Sequence, residues 1–268
     1  MTPQDRELVA RLCAERAGLR VDPEKGYVLE NRLGPVARRE GFASVHEFLG
    51  AMRDRDEERL IWAAVEAMSP AETTFFREPS AFERIVGEAL PELARRREGG
   101  ALRLWAAASG AGQEVYSLAM ALDECAPANV KVELFASDLC DRRLEKAQAG
   151  VYSQFEVQRG LSARRLVRHF ESRDDSFVLS PRVRQMVRWR RVNLMDDISR
   201  LGQFDLVLCR NMLGYLLDDA RARVLAGLQG ALAPGGWLVL GEAEAALGLE
   251  AAAHRPGFHM PAATRAVA

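Results

Sequence analysis

The chain is poor in cysteine and has no cysteine pair. Its 268 residues include four cysteines, at positions 13, 125, 140 and 209, and no Cys-x-x-Cys motif occurs. Zinc sites and disulfide frameworks are built from cysteines at close, paired spacings. We therefore expect neither a metal site nor a structural disulfide, and a reducing cytoplasm is the simplest location for such a chain.

Long apolar runs and a net charge of either sign are also missing. No run approaches the roughly 20 apolar residues of a membrane-spanning helix. The first residues, Met-Thr-Pro-Gln-Asp-Arg, lack the apolar core of a signal peptide. The formal net charge is −1, so no overall attraction to nucleic acid or to an anionic membrane is implied. These absences favour a cytoplasmic protein without direct membrane insertion.

The most informative segment runs from Leu102 to Ala121. An apolar run over 102–108 is followed by the small residues Ser109-Gly-Ala-Gly112, and a helix-patterned segment starts near Gln113. A strand, a tight turn and a helix in this order form the first unit of a nucleotide-binding α/β sheet. Small residues let the backbone approach a ligand, and the free N–H groups at the helix start face it. Helix packing is the alternative explanation for such a turn.

A second strand, over 130–138, ends in Asp138, where folds of this type place a ribose-binding carboxylate. The alternative is that Asp138 merely caps the following helix. The turn lacks a strict G-x-G-x-x-G, and no G-x-x-x-x-G-K-[ST] occurs, so a pyrophosphate or triphosphate ligand is disfavoured. A nucleoside without phosphates, S-adenosylmethionine, fits better.

The periodicity of apolar residues changes at about residue 70. Before it, helical patterns occur near 3–17, 23–39, 44–52 and 59–68, with no strand-like run. After it come a helix at 81–96, strands near 102–108, 130–138, 186–194, 204–210 and 236–241, and helices from 113, at 142–149 and at 218–233. The pattern over 151–181 is irregular, and Pro234-Gly-Gly236 reads as a helix stop. We therefore expect a small all-α domain over 1–70 and an α/β domain with a doubly wound parallel sheet over 71–268.

Positive charge is concentrated in two places. Between Arg159 and Arg191, ten arginines face three acidic residues, a local excess of seven positive charges. In the second helix Lys25, Arg32 and Arg39 recur every seven residues, so they share one face. A solvated surface is the simplest explanation of such a run. Two basic surfaces on a nearly neutral chain nevertheless suggest an acidic partner.

Five blocks of sequence carry specific motifs. They are Thr73-Thr-Phe-Phe-Arg-Glu-Pro79, Trp105 to Met120, Ala136-Ser-Asp138 with Leu144 to Tyr152, Phe204 to Tyr215, and Pro234 to Glu244. In the same order they resemble the signature blocks of the chemotaxis receptor methyltransferases, the CheR family, including T-x-F-F-R-[DE], C-R-N-V-x-I-Y and G-G-x-L-x-x-G-x-x-E. Residues 20–50 also look like the helical N-terminal domain of that family.

The resemblance implies a Rossmann-like class I methyltransferase sheet with a short β-subdomain insertion at about 153–186. It also implies methyl transfer from S-adenosylmethionine to glutamate side chains of a chemoreceptor helix, giving a glutamyl methyl ester and S-adenosylhomocysteine. Arg77 and Tyr215 would be the catalytic pair nearest the methyl group. The implied cofactor contacts are Thr73, Arg77, Glu114, Asp138, Asn193, Leu194, Asn211 and Met212.

The expected substrate is the acidic helical bundle of a receptor cytoplasmic domain, bound by a monomer. The basic residues expected to contact it are Lys25, Arg32, Arg39, Arg165 and Arg168. One alternative is a non-catalytic S-adenosylmethionine-binding or docking module, because Ala108 and Gln113 replace a glycine and a glutamate of the family turn. A nucleic-acid methyltransferase is less favoured, because the block after the fourth strand reads Cys209-Arg-Asn-Met and not N-P-P-[YF].

Overall fold

The computed structural model describes residues 1–55, 57–70, 72–97, 100–126, 130–244, 249–252 and 254–261. The chain forms two compact units. The first consists of Met1–Pro70, Asn193–Met195 and Gly214–Val224, and the second consists of Ala71–Val192, Asp196–Leu213 and Leu225–Ala268. Two short segments from late in the sequence therefore group with the N-terminal helices.

The described part of residues 1–70 forms four helices, α1 (Pro3–Ala17), α2 (Gly26–Arg39), α3 (Val45–Arg55) and α4 (Glu58–Met68). A capping box begins α1, because the Thr2 hydroxyl accepts from the Asp5 amide and the Asp5 carboxylate accepts from the Thr2 amide. Gly18, at φ 64°, ends the helix. The helices pack through buried apolar side chains such as Leu33, Phe48 and Leu60.

The late segment 214–224 pairs with the chain that leaves α1. The Arg20 amide donates to the Tyr215 carbonyl at 2.7 Å, and the Leu217 amide donates to the Gly18 carbonyl at 2.9 Å. A Cβ on Gly18 would lie 2.4 Å from the Ala220 Cβ, so only glycine allows this close approach.

The second unit contains a seven-stranded sheet and a smaller three-stranded one. After residue 70 the elements in chain order are α5 (Pro79–Arg84), a π-helical turn (Ile85–Ala89), α6 (Leu90–Arg96), β1 (Leu102–Ala106), α7 (Gln113–Cys125), β2 (Val132–Asp138), α8 (Asp141–Ala149), β3 (Val151–Ser153), α9 (Gln154–Gln158), α10 (Ala163–His169), β4 (Phe170–Arg173), β5 (Ser176–Leu179), α11 (Pro181–Arg184), β6 (Val187–Arg191), a 3-10 turn (Ser199–Leu201), β7 (Phe204–Leu208), a 3-10 turn (Leu213–Tyr215), α12 (Asp218–Gly230), β8 (Leu232–Val239), β9 (Leu249–Ala251) and β10 (Phe258–Pro261). Residues Gly214–Val224, which include most of the last 3-10 turn and the first half of α12, belong to the first unit.

The large sheet has the order β6-β2-β1-β7-β8-β10-β9. The first five of these strands are parallel, and β10 runs antiparallel to both β8 and β9. The chain proceeds outward from β1 to β2 and β6 and then returns to β7 on the other side of β1. Such a reversal leaves a ligand crevice at the carboxyl ends of the strands. The predicted doubly wound, Rossmann-like α/β sheet is confirmed.

Two predictions about individual elements were wrong. Pro234-Gly235-Gly236 does not separate a helix from a strand, because β8 already begins at Leu232. The register of β8 shifts opposite Phe204, and a Cβ on Gly236 would lie 3.1 Å from the Phe204 carbonyl oxygen. The glycine thus permits an irregularity within a paired strand. The segment over 151–181 is not irregular, because its strands form the sheet β3-β5-β4.

The insertion is fixed to the second unit by aromatic contacts. Tyr152 is buried, and its hydroxyl donates to the Ala111 carbonyl at 2.8 Å. Its ring packs edge-on against Phe75, 5.0 Å between centroids. The small sheet is thereby anchored to both the 73–79 block and the glycine turn. In the described part of the chain, no helix combines the length and the apolar character needed to cross a membrane.

Candidate functional site

The turn between β1 and α7 is shaped for close backbone approach. Gly110 and Gly112 have φ angles of 58° and 93°. A Cβ on Gly112 would lie 3.0 Å from the Ala147 Cβ and 3.1 Å from Trp189, so a larger residue is excluded there. A Cβ on Gly110 would lie 3.3 Å from the Thr73 methyl group. The turn therefore brings the predicted contact Thr73 next to the start of α7.

Asp138 ends β2 and holds the loops around it. Its Oδ2 accepts from the Gly110 amide at 2.8 Å, and its Oδ1 accepts from the Cys140 amide and from Arg143 Nε, both at 2.9 Å. A carboxylate has about four acceptor positions. The bonds from Cys140 and Arg143 fill the two acceptor positions of Oδ1. Among the described residues, the bond from Gly110 leaves one acceptor position of Oδ2 free. Asp138 thus has the capping function that was weighed as an alternative, together with room for one further donor.

Arg210, directly after β7, joins two of the sequence blocks. Its side chain is 1% exposed, and its guanidinium donates to Glu114 at 2.8 Å, to Glu78 at 2.6 Å and to the Arg77 carbonyl at 2.9 Å. Burial alone would lower the pKa of Arg210, but the two carboxylates raise it, so the guanidinium stays charged. The pKa of Glu114 is nevertheless raised. Burial disfavours its charged form, and Arg210 does not offset both this burial and the repulsion from Glu244 and Glu78.

Glu244 holds the loop that contains Asn211 and Met212. Its carboxylate accepts from the backbone amides of Asn211, Leu213 and Gly241 at 2.7–2.9 Å. Asn211 itself has a φ of 57°, and a Cβ on Gly241 would lie 2.5 Å from its Nδ2. One partly buried carboxylate and one glycine therefore fix the loop after β7 against the end of β8.

Arg77 has a fixed backbone and an exposed side chain. Phe76 and Glu78, on either side of it, have φ angles of 46° and 55°. The Phe76 amide donates to the Ser117 hydroxyl at 2.8 Å, and Arg210 binds the next peptide group. Within the described residues, no carboxylate pairs with the Arg77 guanidinium. A cation presented on a strained, well-anchored turn is available to an anionic substrate.

Backbone strain is concentrated around these loops. Five described non-glycine residues have a positive φ, and four of them belong to the motif blocks: Phe76, Glu78, Ala108 and Asn211. Such conformations cost of order 1–3 kcal/mol each and persist only where the surroundings impose them. The structure thus brings Thr73, Arg77, Glu114, Asp138, Asn211 and Met212 to the carboxyl ends of β1, β2 and β7.

The other three predicted residues belong to the first unit. Asn193 donates from Nδ2 to the Arg16 carbonyl at 2.7 Å and accepts the Met195 amide at 3.1 Å. Leu194 is buried, and Tyr215 is 45% exposed. Tyr215 therefore has a side chain open to a ligand, whereas Asn193 already contributes to the structure of the first unit.

The arginine-rich segment is largely paired within the chain. Arg165 donates to both oxygens of Glu124 at 3.0–3.2 Å, and its guanidinium lies 3.8 Å from the centroid of Phe76. Arg168 lies 3.5 Å from Asp123. These two side chains stabilise the second unit, so the charge that they offer a partner is smaller than the sequence count indicates. Their predicted contact with substrate stays a prediction.

The basic residues of α2 are more accessible. Arg32 and Arg39 are exposed, and so is Lys25, which lies just before the helix and not in it as predicted, 3.6 Å from Asp22. Arg32 donates to the Met68 carbonyl at 2.7 Å, and Arg39 pairs with Glu40 at 3.0 Å. Arg38, next to Arg39, is exposed and has no ion pair with a described residue. The helix thus keeps an excess of positive charge on its surface.

Sequence reasoning missed the two residues that organise these loops. Arg210 and Glu244 belong to the quoted blocks, but neither was given a role. An arginine that follows a buried strand is rarely left without partners, and this could have identified Arg210. Glu244 offers a weaker signal, because a carboxylate three residues after a glycine is common in loops.

Comparison with known proteins agrees with this geometry. The family model described as CheR methyltransferase, SAM binding domain, matches residues 71–255. Chemotaxis protein methyltransferase 1 of Pseudomonas aeruginosa is 35% identical over 247 residues, which are 90% of this chain and 90% of that protein. Chemotaxis protein methyltransferase Cher2 of Pseudomonas putida is 34% identical over 246 residues, 89% of this chain and 90% of that protein.

Among solved structures, the glycopeptide N-methyltransferase MtfA complexed with S-adenosylmethionine aligns with 58% of this chain and 53% of its own, at 18% identity and a TM-score of 0.35. A TM-score of 0.35 is too low to support any conclusion, so the fold is assigned from the strand order described above. The family match and the two relatives confirm the resemblance of the five blocks and the S-adenosylmethionine cofactor. The chain belongs to the CheR family of S-adenosylmethionine-dependent methyltransferases.

Proposed function

We propose that this chain methylates glutamate side chains of a chemoreceptor cytoplasmic domain, producing glutamyl methyl esters and S-adenosylhomocysteine. The observation that carries the proposal is the exposed Arg77, which has no carboxylate partner among the described residues and is held by a strained turn at the carboxyl ends of β1 and β7. The names of the relatives, chemotaxis protein methyltransferases, support the receptor as substrate. None of these names supports the alternative that the chain is a nucleic-acid methyltransferase.

The residues around the glycine turn fit S-adenosylmethionine. The two glycines let the turn pack closely against Thr73 and Trp189, and Asp138 beside it retains an acceptor position suited to a ribose hydroxyl. Thr73, Glu114, Asn211 and Met212 lie on the loops around that turn, and with Arg77, Asn193 and Leu194 they complete the proposed contacts. When bound, the cofactor supplies an electrophilic methyl group on a sulfonium.

The chain needs no general base for this reaction. A glutamate side chain has an ordinary pKa of about 4.3, so it is an ionised nucleophile at neutral pH. The histidines are placed accordingly: His169 is paired with Glu124 at 2.9 Å, and His259 is buried in β10. The contribution of the protein is alignment of the carboxylate and removal of its water. We assign the holding of one carboxylate oxygen to Arg77 and a hydrogen bond near the methyl group to Tyr215.

The proposed partner is an acidic helical bundle, bound by a monomer in the cytoplasm. Lys25, just before α2, and Arg32 and Arg39 on α2 supply exposed charge, and Arg165 and Arg168 would add to it where their internal pairs permit. Because the chain has a net charge of −1, attraction has to come from such local surfaces.

Labelled S-adenosylmethionine and purified receptor cytoplasmic domains test the proposal. We expect base-labile label on the receptor, the signature of a methyl ester. Arg77→Ala and Tyr215→Phe should lower turnover while both variants still bind S-adenosylhomocysteine, because interactions made only in the transition state affect the rate constant. Arg95→Ala, at an exposed arginine of α6, is the control and should react normally.

Unlabelled receptor with normal cofactor binding would contradict the proposal and favour the docking module. A normal turnover number in either variant would refute the catalytic role of that residue.

A further inference from the structure

A basic cavity lies on the face of the large sheet opposite α7. It has a volume of about 200 Å³, and its lining includes Arg103, Arg188, Arg190, Arg200, Glu133 and Phe135. All six belong to the second unit. Four guanidinium groups therefore surround one small space together with a single carboxylate.

The alternation of side chains along β6 creates this arrangement. Val187 belongs to the apolar core, and Trp189 packs against Tyr116 of α7 at 5.6 Å between ring centroids. Successive side chains of a strand point to opposite faces, so Arg188 and Arg190 emerge on the other side. Arg165, which lies against Phe76, is on the α7 side. The arginine-rich segment is thus divided between the two faces of the sheet.

The connection from β6 to β7 leaves this face open. A parallel crossover usually carries an α-helix that covers the sheet. Here the described residues 192–203 form only the 3-10 turn Ser199–Leu201. The cavity is lined by residues of this turn and of the strands, in place of a crossover helix.

Among the described residues, the cavity holds more positive than negative charge: its four arginines share the lining with Glu133, and Asp197 interacts electrostatically with Arg200. Arg188, Arg190 and Arg200 are exposed, and none has an ion pair with a described residue. Arg103 is anchored by donating to the Gln203 carbonyl at 2.7 Å and lies 4.0 Å from Glu133. Like charges that line one cavity repel one another, and an anion between them reduces that repulsion.

We propose that this cavity is a second ligand site, specific for a phosphate-bearing small molecule. The planar guanidinium fork matches phosphate oxygens in a bidentate manner, and several forks converge here. Phe135, stacked on Phe204 at 5.8 Å, provides an apolar surface on which a nucleotide base can lie. On β2 the lining residues Glu133 to Phe135 precede Asp138 by three to five residues, about 10–16 Å along a strand, and Arg190 is in register with Ser137, so the cavity is centred away from the strand end that holds Asp138.

Binding of inorganic pyrophosphate and of GTP to the full chain tests the proposal. Calorimetry is done with saturating S-adenosylhomocysteine, so that the cofactor crevice is filled, and guanosine serves as the phosphate-free comparison. We expect pyrophosphate and GTP to bind and guanosine not to bind. Tighter binding of GTP than of pyrophosphate would assign a role to Phe135, and equal binding would restrict recognition to the phosphates.

Arg188→Gln with Arg190→Gln should weaken both ligands at least tenfold, because each charge-assisted hydrogen bond is strong. The matched control is Arg142→Gln with Arg164→Gln, which removes the same charge from exposed arginines without ion pairs in the described chain. Binding that is absent, that survives the first pair of changes, or that falls equally in the control would overturn the proposal. Equal displacement of pyrophosphate by polyglutamate would also overturn it, as general attraction to anions.

Discussion

Ala108 adopts a left-handed backbone conformation, with φ at 53°, in a turn where the family has glycine. This conformation costs an L-residue about 1–2 kcal/mol. Glycine removes that cost but gains about 0.4–1 kcal/mol of entropy in the unfolded state. We expect Ala108→Gly to raise the free energy of unfolding by about 0.5–1 kcal/mol in urea titrations. Ala107→Gly, at a neighbour without positive φ, should lower it, and the same sign for both would contradict the role of strain.

Asp138 has both a loop-holding and a proposed ribose-binding role, and substitutions can separate them. Asp138→Ala should weaken S-adenosylhomocysteine by about 1.5–3 kcal/mol, the value of one hydrogen bond to a charged group. Arg143→Met removes a loop contact and keeps the acceptor, so its affinity should stay near that of the unchanged protein. Calorimetry that gives equal losses in both variants would leave Asp138 with the capping role alone.

At the scale of the element, the loop after β7 depends on a buried arginine. Arg210→Met leaves Glu114 and Glu78 without their cation, and loss of one partner from a buried pair typically costs about 3–5 kcal/mol. We expect that loss in the free energy of unfolding, measured in urea. Arg95→Met on the exposed surface of α6 should change it by no more than about 0.5 kcal/mol. A small effect at Arg210 would mean that solvent reaches the network.

The link between α7 and α10 should weaken in acid. Burial tends to raise the pKa of Glu124, but hydrogen bonds from Arg165 and His169 outweigh it and lower the pKa below its usual value. A lowered carboxyl pKa stabilises the folded state above the unfolded value of about 4.3, and this stability is lost as the pH falls through the folded value. Glu124→Gln should therefore be less stable than the unchanged protein at pH 7, and the difference should shrink by pH 4. Thermal unfolding at both pH values measures it, and a constant difference would contradict the ionic origin.

The sequence predicted the elements that have strong local signals and missed those that depend on distant partners. The glycine turn and Asp138 follow from local chemistry, because a strand, a turn and a helix are contiguous. The strands of the insertion have three or four residues, too few for alternation to be visible. Strand β10 depends on the edge of β8, and β9 depends in turn on the edge of β10. The contacts of Arg210 join residues up to 133 positions apart, which no local pattern records.

For the whole molecule, the near-zero net charge makes substrate recognition depend on local surfaces. Salt screens exposed charges beyond about 8–10 Å, so methyl transfer to a receptor should fall steeply with added salt, while the affinity for S-adenosylhomocysteine changes little. Charge reversal at Lys25 and Arg38 should raise the Michaelis constant for the receptor. The same reversal at Arg142 is the control. Salt-independent kinetics would mean that these charges form only a solvated surface.

The pairing of residues 214–224 with the end of α1 has a consequence for how the protein is made. Leu19 and Leu216 form a β-bridge, and both side chains are buried. During synthesis at about 5–20 residues per second, Leu216 leaves the ribosome roughly 10–40 s after Leu19. Over that interval the nascent helices keep an apolar surface uncovered, so a chain interrupted near residue 200 would be a target for chaperones and proteases.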